Sequence, residues 1–156
     1  MKYSILAIVT LGSLLTGIAV LAAADDEKQT AIKKDRKQYE GTWRVVSLEI
    51  NGNKSTEEDA NKITVANKAD GVWILEVDGK KITEGTSELD PTRKPKTIDF
   101  METEGDNKGR IVLGIYELED NTRKLCYAQP GKDRPAEFAA PAGSGHTLVV
   151  FKREKK

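Results

Sequence analysis

The chain of 156 residues has little of what builds metal centres or disulfide frameworks, since it contains one Cys and one His. A single Cys cannot form an internal disulfide, and a lone His without a second imidazole or thiolate cannot assemble an ordinary zinc site. Aromatic residues make up only 6%, and 25 basic residues balance 25 acidic ones to a net charge of +0. Because nucleic-acid binding depends on neutralising phosphates, we expect no nucleic-acid partner.

Motifs that carry common chemistries are also missing. No G-x-x-x-x-G-K-[ST] or G-x-G-x-x-G sequence occurs, so the usual phosphate-binding loops are absent. Ser144 precedes the sole histidine, His146, but a nucleophile elbow needs G-x-S-x-G, and position 142 is Ala. The acidic stretch 102–107 lacks the register of an EF-hand loop. We interpret these segments as turns, and expect no cofactor, no metal and no catalytic residue.

The long uncharged run of the chain lies at its N terminus. Residues 4–24 carry no charge, Lys2 precedes them and an acidic triplet follows at 25–27. A basic start, an apolar middle and a small-residue end form the pattern of a secretory signal peptide, so residues 1–24 are predicted to be one, with cleavage after Ala24. The alternative is an uncleaved anchor, since these 21 residues could span a core of about 30 Å. Cleavage would give an exported protein, periplasmic or extracellular, without a stable membrane anchor.

The remaining chain is predicted to hold one small domain, at 40–154, and to be a monomer. Residues 25–39 are almost entirely charged or polar, which is typical of a tether or a short helix. Loss of Lys2 would leave a net charge of −1, and about a third of the remaining residues are apolar. Near-neutral charge favours a folded domain over a disordered one. Cys126 lies between Leu125 and Tyr127 and is expected to be a small buried filler.

After residue 40 the pattern changes to short strands separated by turns. Alternating or apolar runs are broken by Asn-Gly and Asp-Gly dipeptides, which are strong hairpin signals. Ser55 or Thr56 can cap one helical turn, with acids following. The predicted strands are 41–50, 62–66, 72–77, 81–89, 97–103, 110–119, 124–129 and 146–152. This succession predicts an all-β fold.

About eight antiparallel strands joined mostly by tight turns predict an up-and-down barrel, because closure removes both exposed edges. A two-sheet sandwich is the alternative. Strands 41–50 and 110–119 carry apolar residues on both faces, which we attribute to bends or bulges, with Gly85 and Gly114 as strand positions where bends are easy. The expected interior side chains are Trp73, Leu75, Ile98, Phe100, Ile111 and Leu113.

A G-x-W at the start of the first strand, Gly41-Thr42-Trp43, resembles the lipocalins. The resemblance implies that Trp43 closes one end of the barrel and that a basic side chain from the last strand lies over it. Lys152 or Arg153 is the candidate for that part. Gly41, Trp43, Lys152 and Arg153 therefore form the expected structural signature.

A second resemblance covers nearly all of residues 39–153. The chain is similar to a family of uncharacterised secreted domains of planctomycete bacteria, and departs from its pattern at Tyr39 and at Ser87-Glu88. The resemblance implies a lipocalin-like fold and no assigned activity, so it identifies no catalytic, cofactor-binding or ligand-binding residue. It rests on G-T-W-R-V-V-S-L-E at 41–49, K-P-K-T-I-D at 94–99, L-G-I-Y at 113–116 and L-C-Y at 125–127.

These observations favour a non-enzymatic exported binding module whose ligand is a small apolar molecule or a protein surface. A barrel encloses a cavity with few polar requirements. The alternative is a filled barrel that contacts an envelope protein as inhibitors do, with the loop 130–145 as the contact surface. A hydrolase that uses Asp and Glu side chains at the barrel mouth is the third hypothesis.

Overall fold

A computed structural model describes the backbone of residues 15–155 and the side chains of residues 23–155. Residues 1–14 of the predicted signal peptide lie outside this part, and the predicted cleavage position after Ala24 falls within the first helix. Within this described part, no helix combines the length and the hydropathy of a membrane span. The elements are α1 (Leu15–Tyr39), β1 (Gly41–Ile50), β2 (Asn53–Lys54), α2 (Glu57–Asn61), β3 (Ile63–Asn67), β4 (Val72–Val77), β5 (Lys80–Asp90), β6 (Lys96–Glu102), β7 (Ile111–Leu118), β8 (Thr122–Tyr127) and β9 (Thr147–Arg153).

Eight strands, β1 and β3 to β9, form a closed antiparallel barrel. From β3 onward each strand pairs with the next, β3 also pairs with β1, and β9 returns to pair with β1. The closing register runs from Trp43 opposite Arg153 to Ile50 opposite Thr147. The two-residue strand β2 forms an antiparallel hairpin with the last two residues of β1. This closure confirms the predicted all-β, lipocalin-like barrel and excludes the two-sheet sandwich.

Local sequence signals account for the turns and the short helix. Val77 pairs with Lys80 across the two-residue loop Asp78-Gly79, whose φ angles are 50° and 73°. Positive φ at both positions is what an Asp-Gly hairpin turn provides. The Thr56 side chain accepts a hydrogen bond of 3.1 Å from the backbone N–H of Asp59, so Thr56 is the N-cap of α2. Both local predictions are confirmed.

The apolar residues on both faces of β1 follow from a bulge. The register with β9 shifts between Val45 and Ser47, which leaves Val46 as the extra residue. An extra residue exchanges the two faces of a strand. Val45 before the bulge and Leu48 after it therefore both line the barrel interior.

β7 contains no bulge, because the strand keeps continuous register with both neighbours. Val112 faces the interior, whereas Ile115 faces outward and is nevertheless only 1% exposed. The loop 128–146 covers this outer face, and the thiol of Cys126, opposite Ile115, lies 3.4 Å from the carbonyl oxygen of Ala139. Cys126 is buried as predicted, and burial raises the pKa of its thiol.

Four of the six predicted interior side chains line the interior, namely Trp73, Leu75, Ile98 and Phe100. The prediction is wrong for the other two. Ile111 and Leu113 alternate with inward-facing Val112 and so point outward, and Ile111 is 57% exposed.

The loop 130–145 is fastened to the barrel wall rather than standing free. Arg134 donates hydrogen bonds to the carbonyl oxygens of Ile98 at 3.0 Å and Gly114 at 2.6 Å, and pairs with Asp99 at 2.6 Å. The side chain of Arg134 thus attaches the loop to two adjacent strands, β6 and β7. The loop, for which a contact with a partner protein stays a prediction, covers the outer wall of the barrel.

The helix α1 closes the end of the barrel at which β1 begins. Residues 25–39, predicted as a tether or short helix, are helical. Asp35 is 5% exposed, and its carboxylate accepts a hydrogen bond of 2.8 Å from the Tyr116 hydroxyl and pairs with Lys96 at 2.7 Å. Burial, and then the contact with Asp35, raises the pKa of Tyr116 far above its usual value. The hydroxyl therefore stays a donor, and the helix is held on the barrel.

Candidate functional site

The closed end of the barrel is organised around Trp43, which is fully buried. Its indole N–H donates a hydrogen bond of 2.8 Å to the carbonyl oxygen of Tyr39, at the end of α1. The guanidinium carbon of Arg153 lies 4.1 Å from the Trp43 ring centroid, whereas Lys152 is exposed. Of the two basic candidates from the last strand, Arg153 is the one that covers the ring. A cation over indole stabilises by about 0.5 to 2 kcal/mol.

Gly41 gives Arg153 the room for this contact. Its φ of 116° lies in the region that favours glycine, and a Cβ placed there would be 2.9 Å from an Nη atom of Arg153. The guanidinium also donates to the carbonyl oxygens of Glu40 at 2.6 Å and Asp120 at 3.0 Å, and to that of Gln38. One side chain thus ties α1, the loop after β7 and the indole together.

Above this closed end the barrel encloses a cavity of about 420 Å³. Ligand pockets for small molecules are about 300 to 1,000 Å³, so the space suits a small molecule. The cavity opens at the opposite end, where Asn107, Arg110 and Gln129 belong to loops. Most of its wall is aliphatic and aromatic, with contributions from Val45, Leu48, Val65, Leu75, Phe100 and Leu125.

Three aromatic rings line the cavity in edge-to-face contact. Ring centroids of Trp73 and Phe100 are 6.0 Å apart, and those of Phe100 and Tyr127 are 5.2 Å apart. The first pair joins β4 to β6, which are separated by β5. The ring of Trp73 can cross β5 because Gly85 lies there: a Cβ would be 2.3 Å from the Trp73 ring and 2.2 Å from the carbonyl oxygen of Met101. Glycine at 85 is thus required by a close approach.

Polar groups among the lining lie toward the opening and at the closed end. Glu102 contacts the Thr83 hydroxyl at 3.3 Å and is the one acidic side chain on the cavity wall among the described residues. Burial raises the pKa of Tyr127, so its phenol remains neutral. A pair of carboxylates, which the hydrolase hypothesis requires, is therefore not brought together on this wall.

Arg123 occupies the closed end of the cavity. It is 1% exposed, lines the cavity, and its guanidinium carbon lies 4.0 Å from the ring centroid of Phe151, 4.4 Å from that of Tyr39 and 4.9 Å from that of Trp43. Its Nε and Nη1 atoms have no hydrogen-bond partner among the described residues. Burial, together with the nearby charge of Arg153, lowers the pKa of Arg123.

The cost of this arrangement is large. Burial of a charge without a partner lowers the stability of the folded state by several kcal/mol. Each contact between the cation and an aromatic ring stabilises it by about 0.5 to 2 kcal/mol. Among the described residues no carboxylate forms an ion pair with Arg123. The contacts that stabilise this cation are those with the three aromatic rings.

The segments that the sequence suggested as turns are turns or loops. The Ser144 hydroxyl accepts a hydrogen bond of 3.1 Å from the backbone N–H of His146, and the His146 ring contacts the carbonyl oxygen of Ala139 at 3.3 Å. Both side chains are thus engaged within the loop 128–146. In the acidic segment Glu104 pairs with Lys81 at 3.0 Å.

A second concavity, of about 670 Å³, lies on the outside of the barrel beside α1. Two of its ion pairs are Lys28 with Asp90 at 3.1 Å and Arg134 with Asp99 at 2.6 Å. Among its other charged side chains, Glu88 and Lys94 are exposed to solvent, so this groove differs from the barrel interior, where the charge of Arg123 is buried.

Sequence reasoning missed Arg123. The alternation in β8 places Arg123, Leu125 and Tyr127 on one face and Lys124 and Cys126 on the other. An arginine in step with two apolar residues is the signal that could have identified it. The predicted strand began one residue later, at Lys124, and so excluded Arg123 from the pattern.

Comparison with protein-family models, with curated proteins and with solved structures finds no match to this chain.

Proposed function

We propose that this protein is an exported, non-enzymatic binding module whose barrel holds a small apolar molecule. The observation that carries the proposal is the cavity of about 420 Å³ with its largely apolar wall. A dry apolar cavity favours apolar occupants over water, because water needs two to four polar partners. Few such partners lie between the closed end and the opening.

The cavity also separates this proposal from its alternatives. In a filled barrel that acts only through its surface, the side chains of Leu75, Phe100 and Leu125 would pack against one another and leave no cavity between them. A hydrolase with two carboxylates would place them near one another, roughly 5 to 9.5 Å apart. Glu102 has no such neighbour on the cavity wall among the described residues.

Export and family membership belong to the same proposal. The support for export is the signal-peptide pattern of residues 1–24, with cleavage after Ala24. The support for membership of the secreted planctomycete domain family is the set of motifs between 41 and 153. The proposal further includes that the protein is a monomer, that its binding site lies inside the barrel and that it uses no cofactor.

The proposal is tested by fluorescence titration of residues 25–156 and of the full chain with N-phenyl-1-naphthylamine, a neutral probe that becomes bright in apolar surroundings. We expect saturable binding of one probe molecule per chain. Leu75→Trp, which fills the cavity, is expected to weaken binding about tenfold or more, equivalent to at least about 1.4 kcal/mol.

The matched control is Ile82→Trp, because Ile82 is 58% exposed on the outer surface. It adds the same side chain outside the cavity, and we expect it to leave binding unchanged. Absence of saturable binding to the wild-type protein, or equal weakening by both variants, would overturn the proposal.

A further inference from the structure

The cation at the closed end of this largely apolar cavity, which lacks a partner among the described residues, restricts the class of ligand that the cavity can bind. Only 1% of the Arg123 surface is exposed, and the residue lies on the cavity wall. Two of its nitrogens lack a hydrogen-bond partner in the described part of the chain. Buried polar groups are almost always satisfied in proteins, so an exception at the end of a cavity indicates a missing partner.

Arginine only donates hydrogen bonds and keeps its charge, so its partner must be an acceptor, and an anionic acceptor would also neutralise the buried charge. We propose that the ligand is a single-chain amphiphile with a carboxylate at one end, whose carboxylate lies against Arg123 and whose apolar chain extends toward the opening. This inference rests on the proposed function and adds the chemistry and orientation of the occupant. Carboxylate and guanidinium form short, charge-assisted hydrogen bonds.

The layers of the barrel match such a molecule. Along β8 the inward positions are Arg123, then Leu125, then Tyr127, and their partners in β9 are Phe151, Val149 and Thr147. Each two-residue step along a strand is about 6.6 to 6.8 Å, so roughly 13 Å of strand separate the backbone positions of Arg123 and Tyr127. An anionic head at Arg123 therefore leaves an apolar layer for the chain and a polar layer near the opening.

The opposite orientation, with the carboxylate at the opening, is opposed by the same geometry. The apolar chain would then end against the charge of Arg123, and that charge would stay unneutralised. At the opening, Glu102 would lie close to the carboxylate and repel it. Arg110 is the basic side chain at the same opening among the described lining residues, and its charge favours that orientation.

The experiment compares decanoate with 1-decanol, which have the same chain and differ in the charge of the head group. Both are titrated by displacement of N-phenyl-1-naphthylamine at neutral pH. For the wild-type protein we expect decanoate to bind at least about tenfold more tightly than 1-decanol. Arg123→Met is expected to abolish this preference by weakening decanoate at least about tenfold, while 1-decanol still displaces the probe.

The matched control is Arg110→Met, which removes the cation at the opening and is expected to retain the preference for decanoate. Arg123→Lys keeps a positive charge and is expected to retain part of it, which provides a second variant if Arg123→Met does not fold. The wild-type comparison of acid with alcohol needs no variant.

The outcomes are distinguishable. If the probe itself does not bind saturably, the proposed function fails and this inference fails with it. If the probe binds but neither compound displaces it, the inference of a single-chain ligand is overturned and the proposed function stands. If the alcohol and the acid bind equally well, the apolar cavity binds ligands but the carboxylate inference is overturned. If Arg110→Met rather than Arg123→Met removes the preference, the proposed orientation is overturned.

Discussion

The guanidinium of Arg153 lies 4.1 Å from the ring centroid of Trp43, which joins the last strand of the barrel to the first. The two residues are also register partners in the β1 and β9 pairing that closes the barrel. This one residue pair therefore takes part both in the strand pairing that closes the sheet and in the packing of the barrel end. The guanidinium of Arg123 lies 4.9 Å from the centroid of the same ring. Trp43 therefore contacts both Arg153, which closes the barrel end, and Arg123, the candidate ligand-binding residue.

Arg153→Met is expected to lower the free energy of unfolding by about 2 to 4 kcal/mol, because it removes a cation over indole and hydrogen bonds from a charged donor. Urea unfolding followed by tryptophan fluorescence measures the change. Lys152→Met is the matched control, since Lys152 is exposed, and is expected to stay within about 0.5 kcal/mol. Equal losses for both variants would show that the guanidinium has no special part in closure.

Asp35→Ala is expected to release α1 from the barrel end. The substitution leaves the Tyr116 hydroxyl without its acceptor and removes the ion pair with Lys96, for a loss of about 2 to 4 kcal/mol. Amide hydrogen exchange should then accelerate in residues 31–39. Lys34→Ala alters an exposed position of the same helix and should leave exchange unchanged. Retained protection in Asp35→Ala would contradict the assigned role of this carboxylate.

Asp90 makes stability depend on acidity. Hydrogen bonds from Thr92, and then Lys28, lower its pKa from 3.8 to about 2. The folded state therefore holds the proton less tightly than the unfolded state, so the stabilisation is fully present above pH 3.8 and is lost as pH falls through about 2. Unfolding measured across that interval should show a smaller loss for Asp90→Asn than for the wild type. Asp26→Asn, on the exposed side of α1, should follow the wild-type curve.

Gly85→Ala is expected to destabilise the protein by about 1 to 3 kcal/mol, the usual cost of overpacking. A methyl group at 85 would meet both the Trp73 ring and the carbonyl oxygen of Met101. Thermal unfolding gives the loss, and a change in tryptophan fluorescence would report displacement of Trp73. Glu84→Ala, one residue earlier and outward-facing, is expected to cost less than about 1 kcal/mol. A neutral Gly85→Ala would contradict the close packing across β5.

The strand pattern and the closed barrel could be predicted because turn chemistry is local. Asp78-Gly79 specifies its own hairpin, and Thr56 caps its own helical turn. Closure followed from the cost of leaving sheet edges unpaired. These features depend on neighbouring residues or on a general rule, so one sequence contains enough information for them.

The outer cover could not be predicted, because it depends on contacts between residues far apart in the chain. Ile115 is buried by the loop 128–146, which Arg134 fastens to β6 and β7. Alternation alone assigned Ile111 and Leu113 to the interior because both faces of β7 are apolar. The face of such a strand is set by tertiary packing rather than by its own pattern.

Arg123 illustrates why the candidate site was harder to predict than the fold. An arginine within a strand is normally exposed, and only the rings of Tyr39, Trp43 and Phe151 make its burial tolerable. These rings come from α1, β1 and β9, which the sequence does not place together. The conflict between local expectation and structure is typical of functional positions.

The measurement that most directly tests a binding site inside the barrel is the ¹H–¹⁵N correlation spectrum of the protein titrated with decanoate. We expect the backbone amide signals of inward positions around the cavity to move, those of Leu75, Phe100 and Leu125 foremost, and the Arg123 side-chain Nε–H signal to shift downfield. Signals of the outward position Ile82 should remain in place. Shifts confined to the outer loop 128–146, or none at millimolar ligand, would contradict the account.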